Sequence, residues 1–243
     1  GAGVRYDVVD KRQKGRKIDI HFNGALYPEQ QVAAEKMLYN DIGVLAAATA
    51  FGKTVLGAYL IAQKKVNALV LVHNVEIMNN WIKDLNSFLT INEELPTYTT
   101  PKGRVKKRSS LIGTFSSQKD ATTGIIDIAM ITSLGREDNI NELVCNYGMV
   151  IVDECHHAAA VTHENVLRAV TARYIYGMSA TINRGDKQDK KMFMQLGPIR
   201  HRYTAKERAQ KQGIGHYIYP RFTRLVDLNQ SEDRNPADYY RLI

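Results

Sequence analysis

Cysteine and long apolar runs are both scarce in this sequence. Its 243 residues contain two cysteines, Cys145 and Cys155, whose spacing fits neither a zinc-ligand pattern nor a disulfide framework. No apolar run approaches the ~18 residues that a membrane-spanning helix needs, and the beginning of the chain does not resemble a signal peptide. These absences predict an intracellular protein, either cytoplasmic or associated with a nucleoid or nucleus, and no membrane partner.

The composition is that of a globular protein with an excess of basic residues. Hydrophobic residues make up 44% of the chain and charged residues 24%, which is ordinary for a domain with a substantial core. The formal net charge of +8 favours an anionic partner such as a polynucleotide backbone. A solvated basic surface without a partner is the alternative. The same two interpretations apply to the dense basic stretch of residues 101–108.

Five short apolar runs alternate with segments of helical spacing. A run without polar alternation indicates a strand covered on both faces, as in a parallel sheet with helices above and below. The predicted strands are residues 43–48, 68–72, 125–131, 149–152 and 174–178. The predicted helices are residues 29–39, 75–88, 139–144, 163–171 and 192–196. The pattern predicts a doubly wound α/β fold, in which Trp81 and its neighbours at helical spacing belong to the core.

The N-terminal segment has the composition of two short strands. Residues 4–9 and 17–22 are the candidate strands, and a polar turn that contains Lys14 and Gly15 separates them. The sequence therefore predicts a short β-hairpin within residues 1–24, ahead of the main domain.

A candidate phosphate-binding motif follows the first apolar run of the predicted sheet. The run breaks into Gly52-Lys53-Thr54 and then resumes, which indicates a buried strand, a tight loop and the start of a helix. The unpaired amides and the dipole of a helix N-terminus favour a phosphate there. Lys53 would reach the β and γ phosphates of a nucleotide, and the Thr54 hydroxyl would hold Mg²⁺. An ordinary strand-to-helix turn is the alternative for this motif alone.

Two acids follow the fourth apolar run. Asp153 would enter the Mg²⁺ shell, and Glu154 would accept a proton from an attacking water. A solvated pair of acids at a strand end is the alternative. However, polar clusters follow all five runs, and ligands of such sheets bind beyond the carboxyl ends of the strands. The clusters are residues 49–54, 73–74, 132–133, 153–156 and 179–181, and their convergence favours one composite site.

These motifs resemble those of the superfamily 2 helicases of the DExH type, especially the DNA-repair and restriction-type translocases. Asp153-Glu154-Cys155-His156 is similar to the DECH box, and Ser179-Ala180-Thr181 to the Ser-Ala-Thr motif. The resemblance implies that residues 25–220 are the first motor domain, a RecA-like P-loop NTPase with helices on both faces of its sheet. It implies that residues 221–243 are the linker to a second RecA-like domain and the beginning of that domain.

The resemblance also implies roles for individual residues. His156 would couple the nucleotide site to the hydroxyls of Ser179 and Thr181, with a satisfied core histidine as the alternative. Gln30 would read adenine. The implied nucleotide-binding residues are Gln30, Thr49, Ala50, Phe51, Gly52, Lys53 and Thr54. The implied contacts with a nucleic-acid backbone are His73, Asn74, Thr132 and Ser133.

The implied function is that of an ATP-dependent helicase or translocase that uses ATP and Mg²⁺ and moves on DNA, with RNA as the alternative. Its implied catalytic residues are Lys53, Asp153 and Glu154. Ala50 stands where these motors usually have glycine, and its methyl group restricts a turn that glycine enters freely. This departure supports a second hypothesis, a nucleic-acid-binding module with degraded ATPase activity. Because arginine fingers of a second domain complete such sites, we expect weak hydrolysis by this chain alone.

Overall fold

The computed structural model describes residues 9–136, 139–155, 161–180 and 193–211. The α-helices with described bounds are α1 (Pro28–Leu38), α2 (Lys53–Lys64), α3 (Val75–Phe88), α4 (Ile131–Leu134), α5 (Val161–Ala169) and α6 (Ala205–Lys211). Residues 193–196 are also helical, and Glu142–Cys145 form a 3-10 helix. None of the helices among the described residues is long and apolar enough to span a membrane.

The strands are numbered in chain order. They are β1 (Ile20–Phe22), β2 (Ile42–Ala47), β3 (Ala68–Val72), β4 (Leu89–Ile91), β5 (Thr97–Thr99), β6 (Val105–Lys107), β7 (Ile112–Ser116), β8 (Lys119–Asp120), β9 (Ile126–Met130), β10 (Gly135–Arg136), β11 (Asn139–Ile140), β12 (Met149–Asp153), β13 (Tyr174–Ser179) and β14 (Ile199–Tyr203).

One eight-stranded sheet dominates the fold, with the strand order β14-β2-β13-β12-β3-β9-β7-β8. All neighbours in it run parallel except β7 and β8, which are antiparallel. The five predicted strands are β2, β3, β9, β12 and β13, so the prediction of a mostly parallel α/β sheet is confirmed.

Each face of the central sheet packs against helices. Alternate strand residues such as Leu45 and Val70 belong to a core with α1, α2 and α3. Their neighbours Val44 and Leu69 belong to a second core, which α4 and α5 cover. Both sets are almost completely buried, which explains why these strands carry no polar alternation. Helices on both faces of the sheet were expected and are observed.

The helices that follow β1, β2 and β3 begin in three different ways. Pro28 occupies the first position of α1, where its fixed φ suits a helix and its missing N–H costs nothing. The Asn74 side chain caps α3 by accepting a hydrogen bond from the Ile77 amide at 2.8 Å. No side chain among the described residues caps α2, whose N-terminus follows Gly52. The first amides of α2 therefore remain available to a ligand.

The N-terminal hairpin is tested only in part. Its first strand was expected at residues 4–9, and residues 1–8 lie outside the described residues. The second strand is present as β1, but its partner within the described residues is β4, with Ile20 opposite Ile91. The hairpin itself stays a prediction.

Other segments differ from the expectation. The helix predicted at residues 139–144 is wrong, because β11 pairs with β10 there and a 3-10 helix follows at Glu142–Cys145. Strands β7 and β14 were not predicted. The basic stretch of residues 101–108 forms part of a hairpin in which β5 pairs with β6.

The contacts divide the chain into two compact units. Residues 1–208 form the first unit, which contains the central sheet. Residues 209–243 form the second, of which only the end of α6 is described. The predicted boundary at residue 220 lies outside the described residues, so the division into a motor domain and a linker stays a prediction.

Candidate nucleotide site

The loop between β2 and α2 takes an unusual backbone conformation. Ala50 has a φ of 63° and Gly52 a φ of 82°, so both residues occupy the left-handed region. Glycine enters that region freely, whereas an alanine is strained there. A side chain at Gly52 would also collide with the side-chain nitrogen of Gln30, because an added Cβ would lie 2.5 Å from it. The loop thus requires glycine at position 52 and carries strain at position 50.

Lys53 is the first residue of α2, and its side chain lies between the loop and the acid pair. Its Nζ lies 3.4 Å from the Ala47 carbonyl oxygen, to which it donates a hydrogen bond, and 3.5 Å from Glu154 Oε1. Thr54 follows on the same turn and is partly buried. The cationic group therefore stands at the N-terminus of α2, where the helix dipole also favours an anion.

The acid pair lies at the carboxyl end of β12. Asp153 Oδ1 accepts a hydrogen bond from the Glu154 amide at 2.9 Å, and Oδ2 accepts one from the indole N–H of Trp81 at 2.8 Å. Burial raises the pKa of Asp153, because its two hydrogen bonds and the charge of Lys53 offset only part of the lost hydration. Glu154 has a φ of 47°, a strained conformation of the kind that clusters at functional sites.

Gln30 of α1 contacts the loop at Phe51. The Gln30 side chain is 4% exposed and donates a hydrogen bond from Nε2 to the Phe51 carbonyl at 2.9 Å. Its Oε1 accepts one from the Tyr27 amide at 2.9 Å. The Phe51 ring packs against Tyr203 with a centroid distance of 5.0 Å. Gln30 therefore shapes the loop directly, a contact that the sequence did not reveal.

The remaining loop residue of the predicted set is Thr49, which is exposed. Its carbonyl accepts a hydrogen bond from the guanidinium of Arg208 at 2.8 Å. Arg208 was not predicted to lie near the loop, and no motif pointed to it. It adds a second cation to the surroundings of the loop.

Ser179 lies between the loop that follows β2 and the acid pair at the end of β12. It ends β13, the strand between β2 and β12, and it pairs in register with Ala46 of β2. Its side chain is buried. The other two residues of the predicted coupling set, His156 and Thr181, lie outside the described residues.

The predicted nucleic-acid contacts follow β3 and β9, on the other side of β12. Asn74 caps α3, and its Nδ2 lies 3.2 Å from His73 Nε2. Thr132 is exposed in α4, and Ser133 Oγ accepts a hydrogen bond from the Ser117 amide at 2.9 Å. These four residues lie at the same edge of the sheet as the loop between β2 and α2, but they follow strands on the far side of β12. For Asn74 and Ser133 the structure shows contacts that stabilise local structure.

Trp81 is the site residue that the sequence interpretation placed only in the core. It is 1% exposed, as a core residue should be, yet its N–H reaches the carboxylate of Asp153, 72 residues further along the chain. Helical spacing identified the apolar face of α3 correctly. No sequence signal could identify the acceptor of the indole N–H, because that contact arises only when α3 packs on β3 and β9, next to β12 in the sheet.

The oxygen atoms around the loop suit Mg²⁺. Within the described residues, no cluster of three or more His, Cys, Asp or Glu side chains could hold a metal by itself. A site with one carboxylate, Asp153, and one hydroxyl, Thr54, matches the preference of Mg²⁺ for few protein ligands together with phosphate oxygens. The donor set therefore fits a nucleotide-bound magnesium ion.

Two proteins of known description are similar to this chain in sequence. The chain is 26% identical over 187 residues to a putative ATP-dependent RNA helicase of Acanthamoeba polyphaga mimivirus, covering 75% of this chain and 33% of the relative. It is 22% identical over 182 residues to a DNA 3'-5' translocase of Sulfurisphaera tokodaii, covering 75% of this chain and 36% of the relative. The chain therefore spans about a third of the length of these relatives.

The fold is similar to that of a solved motor core. The SWI2/SNF2 ATPase core of Sulfolobus solfataricus, determined in complex with double-stranded DNA, matches with a TM-score of 0.55 at 15% identity, over 76% of this chain and 38% of that one. The family described as Type III restriction enzyme, res subunit, matches residues 23–184, which is more than half of the chain. The chain therefore belongs to this family, and its fold is the RecA-like motor fold of the superfamily 2 helicases.

Proposed function

We propose that this chain is the ATP-binding motor domain of a nucleic-acid helicase or translocase. The observation that carries the proposal is the meeting of Lys53 and Glu154 across the sheet edge, with their side chains 3.5 Å apart. The two residues come from the loop after β2 and from the end of β12, strands that are not neighbours. The phosphate-binding loop with Lys53 and an acid that could activate water, Glu154, therefore lie close enough to act on the same phosphate group.

Each residue has a role that its position supports. The amides at the N-terminus of α2 and the Lys53 ammonium would bind the phosphates. Thr54 and Asp153 would hold Mg²⁺, which supplies charge neutralisation on the phosphate oxygens when it is bound. Glu154 would orient the attacking water and accept its proton.

Gln30 would act mainly through the loop. Both ends of its amide already contact the protein, at the Phe51 carbonyl and the Tyr27 amide. A nucleotide base beside Gln30 would compete for these contacts or share them. The proposed role of Gln30 is therefore to link recognition of the base to the shape of the phosphate loop.

The proposed polymer is DNA, with RNA as the alternative. The relatives include one named as an RNA helicase and one named as a DNA translocase, and the solved motor core was bound to double-stranded DNA. The net charge of +8 and the exposed lysines of the β5–β6 hairpin suit the phosphate backbone of either polymer. His73, Asn74, Thr132 and Ser133 remain the proposed contact residues on the sheet edge.

A second RecA-like domain is part of the proposal. In motors of this kind an arginine from a partner domain stabilises the transition state, and such an arginine contributes about 10³–10⁵ in turnover. This chain alone should therefore bind nucleotide but hydrolyse it slowly. A longer form that carries the second domain should hydrolyse ATP with stimulation by DNA.

Two measurements test the proposal. Calorimetric titration of this chain with ATP and Mg²⁺ should show binding that Lys53→Ala removes. ATPase assays on the two-domain form, with and without DNA, should show turnover that Lys53→Ala and Glu154→Gln both abolish. Turnover that survives both substitutions would refute the assignment of this site.

The second candidate function is a nucleic-acid-binding module with a degraded ATPase. The left-handed φ of Ala50 favours it, because a strained loop lowers the affinity for phosphate. Under this alternative the two-domain form binds DNA but shows no ATPase activity that depends on Lys53. The same assays therefore separate the two candidates.

A further inference from the structure

Trp81 joins the phosphate-loop helix to the acid pair. It is the only tryptophan of the chain and lies in the middle of α3, 1% exposed. Its ring packs so closely on α2 that a Cβ added to Gly57 would lie 2.5 Å from Cη2 of the indole. Its Nε1 donates a hydrogen bond to Asp153 Oδ2 at 2.8 Å. One side chain thus contacts both elements of the candidate nucleotide site.

Core packing alone does not explain a tryptophan at this position. A buried indole N–H needs an acceptor, and a phenylalanine or leucine would fill apolar space without that need. The acceptor here is a carboxylate whose other oxygen already accepts the Glu154 amide. The two hydrogen bonds hold both oxygens of Asp153 in one orientation. Each oxygen keeps a further lone pair for another partner.

We propose that Trp81 is a positioning residue, whose indole N–H fixes the Asp153 carboxylate for Mg²⁺ bound with a nucleotide. The inference rests on the proposed function, because it assumes that Asp153 meets the metal. Partners of this kind orient the metal ligand without touching the metal, and removing one typically costs about 10–100-fold in metal affinity or activity. Trp81 would act in the same way from within the core.

The variant Trp81→Phe tests the proposal, because it keeps an aromatic ring and removes the N–H. The readout is the affinity of this chain for a fluorescent ATP analogue, titrated with and without Mg²⁺. We expect the Mg²⁺ concentration at half-maximal enhancement to rise by about tenfold or more, with little change in the Mg²⁺-free affinity. An unchanged Mg²⁺ dependence in a folded variant would overturn the proposal.

Leu85→Val is the matched control for lost core volume. Leu85 lies one turn further along α3, is fully buried and belongs to the same core as Trp81. This variant should lower the thermal stability of the chain and leave the Mg²⁺ dependence unchanged. If Leu85→Val shifts the Mg²⁺ dependence as far as Trp81→Phe does, the effect is one of packing and the proposal fails.

The fluorescence of Trp81 gives a second test that needs no change at position 81. Because the chain has a single tryptophan, its emission reports on the surroundings of Trp81, which include Asp153 and Gly57 of α2. Adding Mg²⁺ to the chain saturated with a non-hydrolysable ATP analogue should change this emission, and Asp153→Ala should remove the change. No change in the wild-type chain would overturn the proposal, even if Trp81→Phe did not fold.

Failure of the inference can be told from failure of the proposed function. If the wild-type chain shows no nucleotide binding that depends on Lys53, both fail together. If it binds nucleotide with Mg²⁺ and Trp81→Phe does the same, only the role of Trp81 is refuted.

Discussion

Replacing Ala50 with glycine should stabilise the phosphate loop. Ala50 is exposed and has a φ of 63°, a left-handed conformation that costs a non-glycine residue about 1–2 kcal/mol. Glycine avoids this cost but loses about 0.5–1 kcal/mol through its greater freedom in the unfolded chain. The expected net gain in the free energy of unfolding is therefore about 0.5–1 kcal/mol, since little packing is lost at an exposed methyl group.

The same change should tighten nucleotide binding. The strain at Ala50 is divided between the two effects. The part that the free chain avoids by leaving the left-handed conformation weakens binding, because a phosphate must draw the loop back, and the rest lowers the stability. If glycine removes about 0.5–1 kcal/mol in all, the dissociation constant for ATP with Mg²⁺ should fall by at most about two- to fivefold, and the gain in stability is smaller by the same amount. Calorimetric titration measures the affinity, and urea denaturation measures the stability of the same two proteins.

Lys65→Gly is the matched control for Ala50→Gly. Lys65 is also exposed, has a φ of 52° and ends α2 at the opposite end from the loop. The variant Lys65→Gly should show a similar gain in the free energy of unfolding and no change in ATP affinity. Weaker ATP binding by Ala50→Gly, or an equal change of affinity in Lys65→Gly, would refute the reasoning that strain at Ala50 opposes nucleotide binding.

Three further predictions concern the surroundings of the loop and the basic hairpin. Gln30→Glu should lower the free energy of unfolding by about 1–3 kcal/mol, because a buried side chain loses its hydrogen bond to the Phe51 carbonyl. Gln31→Glu also loses a bond to a carbonyl, that of Leu26, but its side chain is exposed, so the change should be less than about 0.5 kcal/mol in urea denaturation. Similar losses in the two variants would contradict this. Burial raises the pKa of Asp153, so the folded chain binds that proton more tightly than the unfolded chain, and the free energy of unfolding should fall as the pH rises above about 4. Asp153→Asn should reduce this fall, but it should also lower the stability in acid, because its amide nitrogen would face one of the two N–H donors from which the Asp153 oxygens accept hydrogen bonds. An equal fall with pH in both proteins would contradict the prediction. Replacing both Lys106 and Lys107 with alanine should reduce the slope of log affinity for duplex DNA against log salt by up to about 1.8, and an unchanged slope would remove the hairpin from the proposed nucleic-acid surface.

The central strands could be predicted because the sheet buries both of their faces. Such a strand has no solvent-facing positions, so its sequence is a continuous apolar run, and residues 68–72 match the observed bounds of β3. β14 was not predicted, because its faces are not buried in the same way. It lies at the edge of the sheet, all five of its residues are partly exposed, and its sequence is Ile-Arg-His-Arg-Tyr. This strand therefore has neither a continuous apolar run nor a clear alternation of buried and exposed residues.

The helix predicted at residues 139–144 shows a second limit of local patterns. Val144 is buried and its spacing from Ile140 suits a helix, but Ile140 pairs with Gly135 in a short antiparallel ladder. The pairing with a preceding strand takes these residues out of the helical conformation before the 3-10 helix begins at Glu142. Contacts with another segment therefore overrode a weak local preference.

The same limit applies to the candidate site: residues in local motifs could be predicted, whereas a residue that acts through long-range contacts could not. Lys53 and the acid pair could be placed at one edge from the sequence, because parallel strands end on the same side and each motif directly follows a strand. Trp81 could be assigned only to the core, since spacing along a helix reports which face is buried and not what a buried polar atom meets. Its bond to Asp153 exists because α3 packs on β3 and β9, and β12 is the neighbour of β3 in the sheet. Sequence motifs therefore locate residues that face the ligand, whereas a residue that supports them from within the core can be found only once the packing of helix on sheet is known.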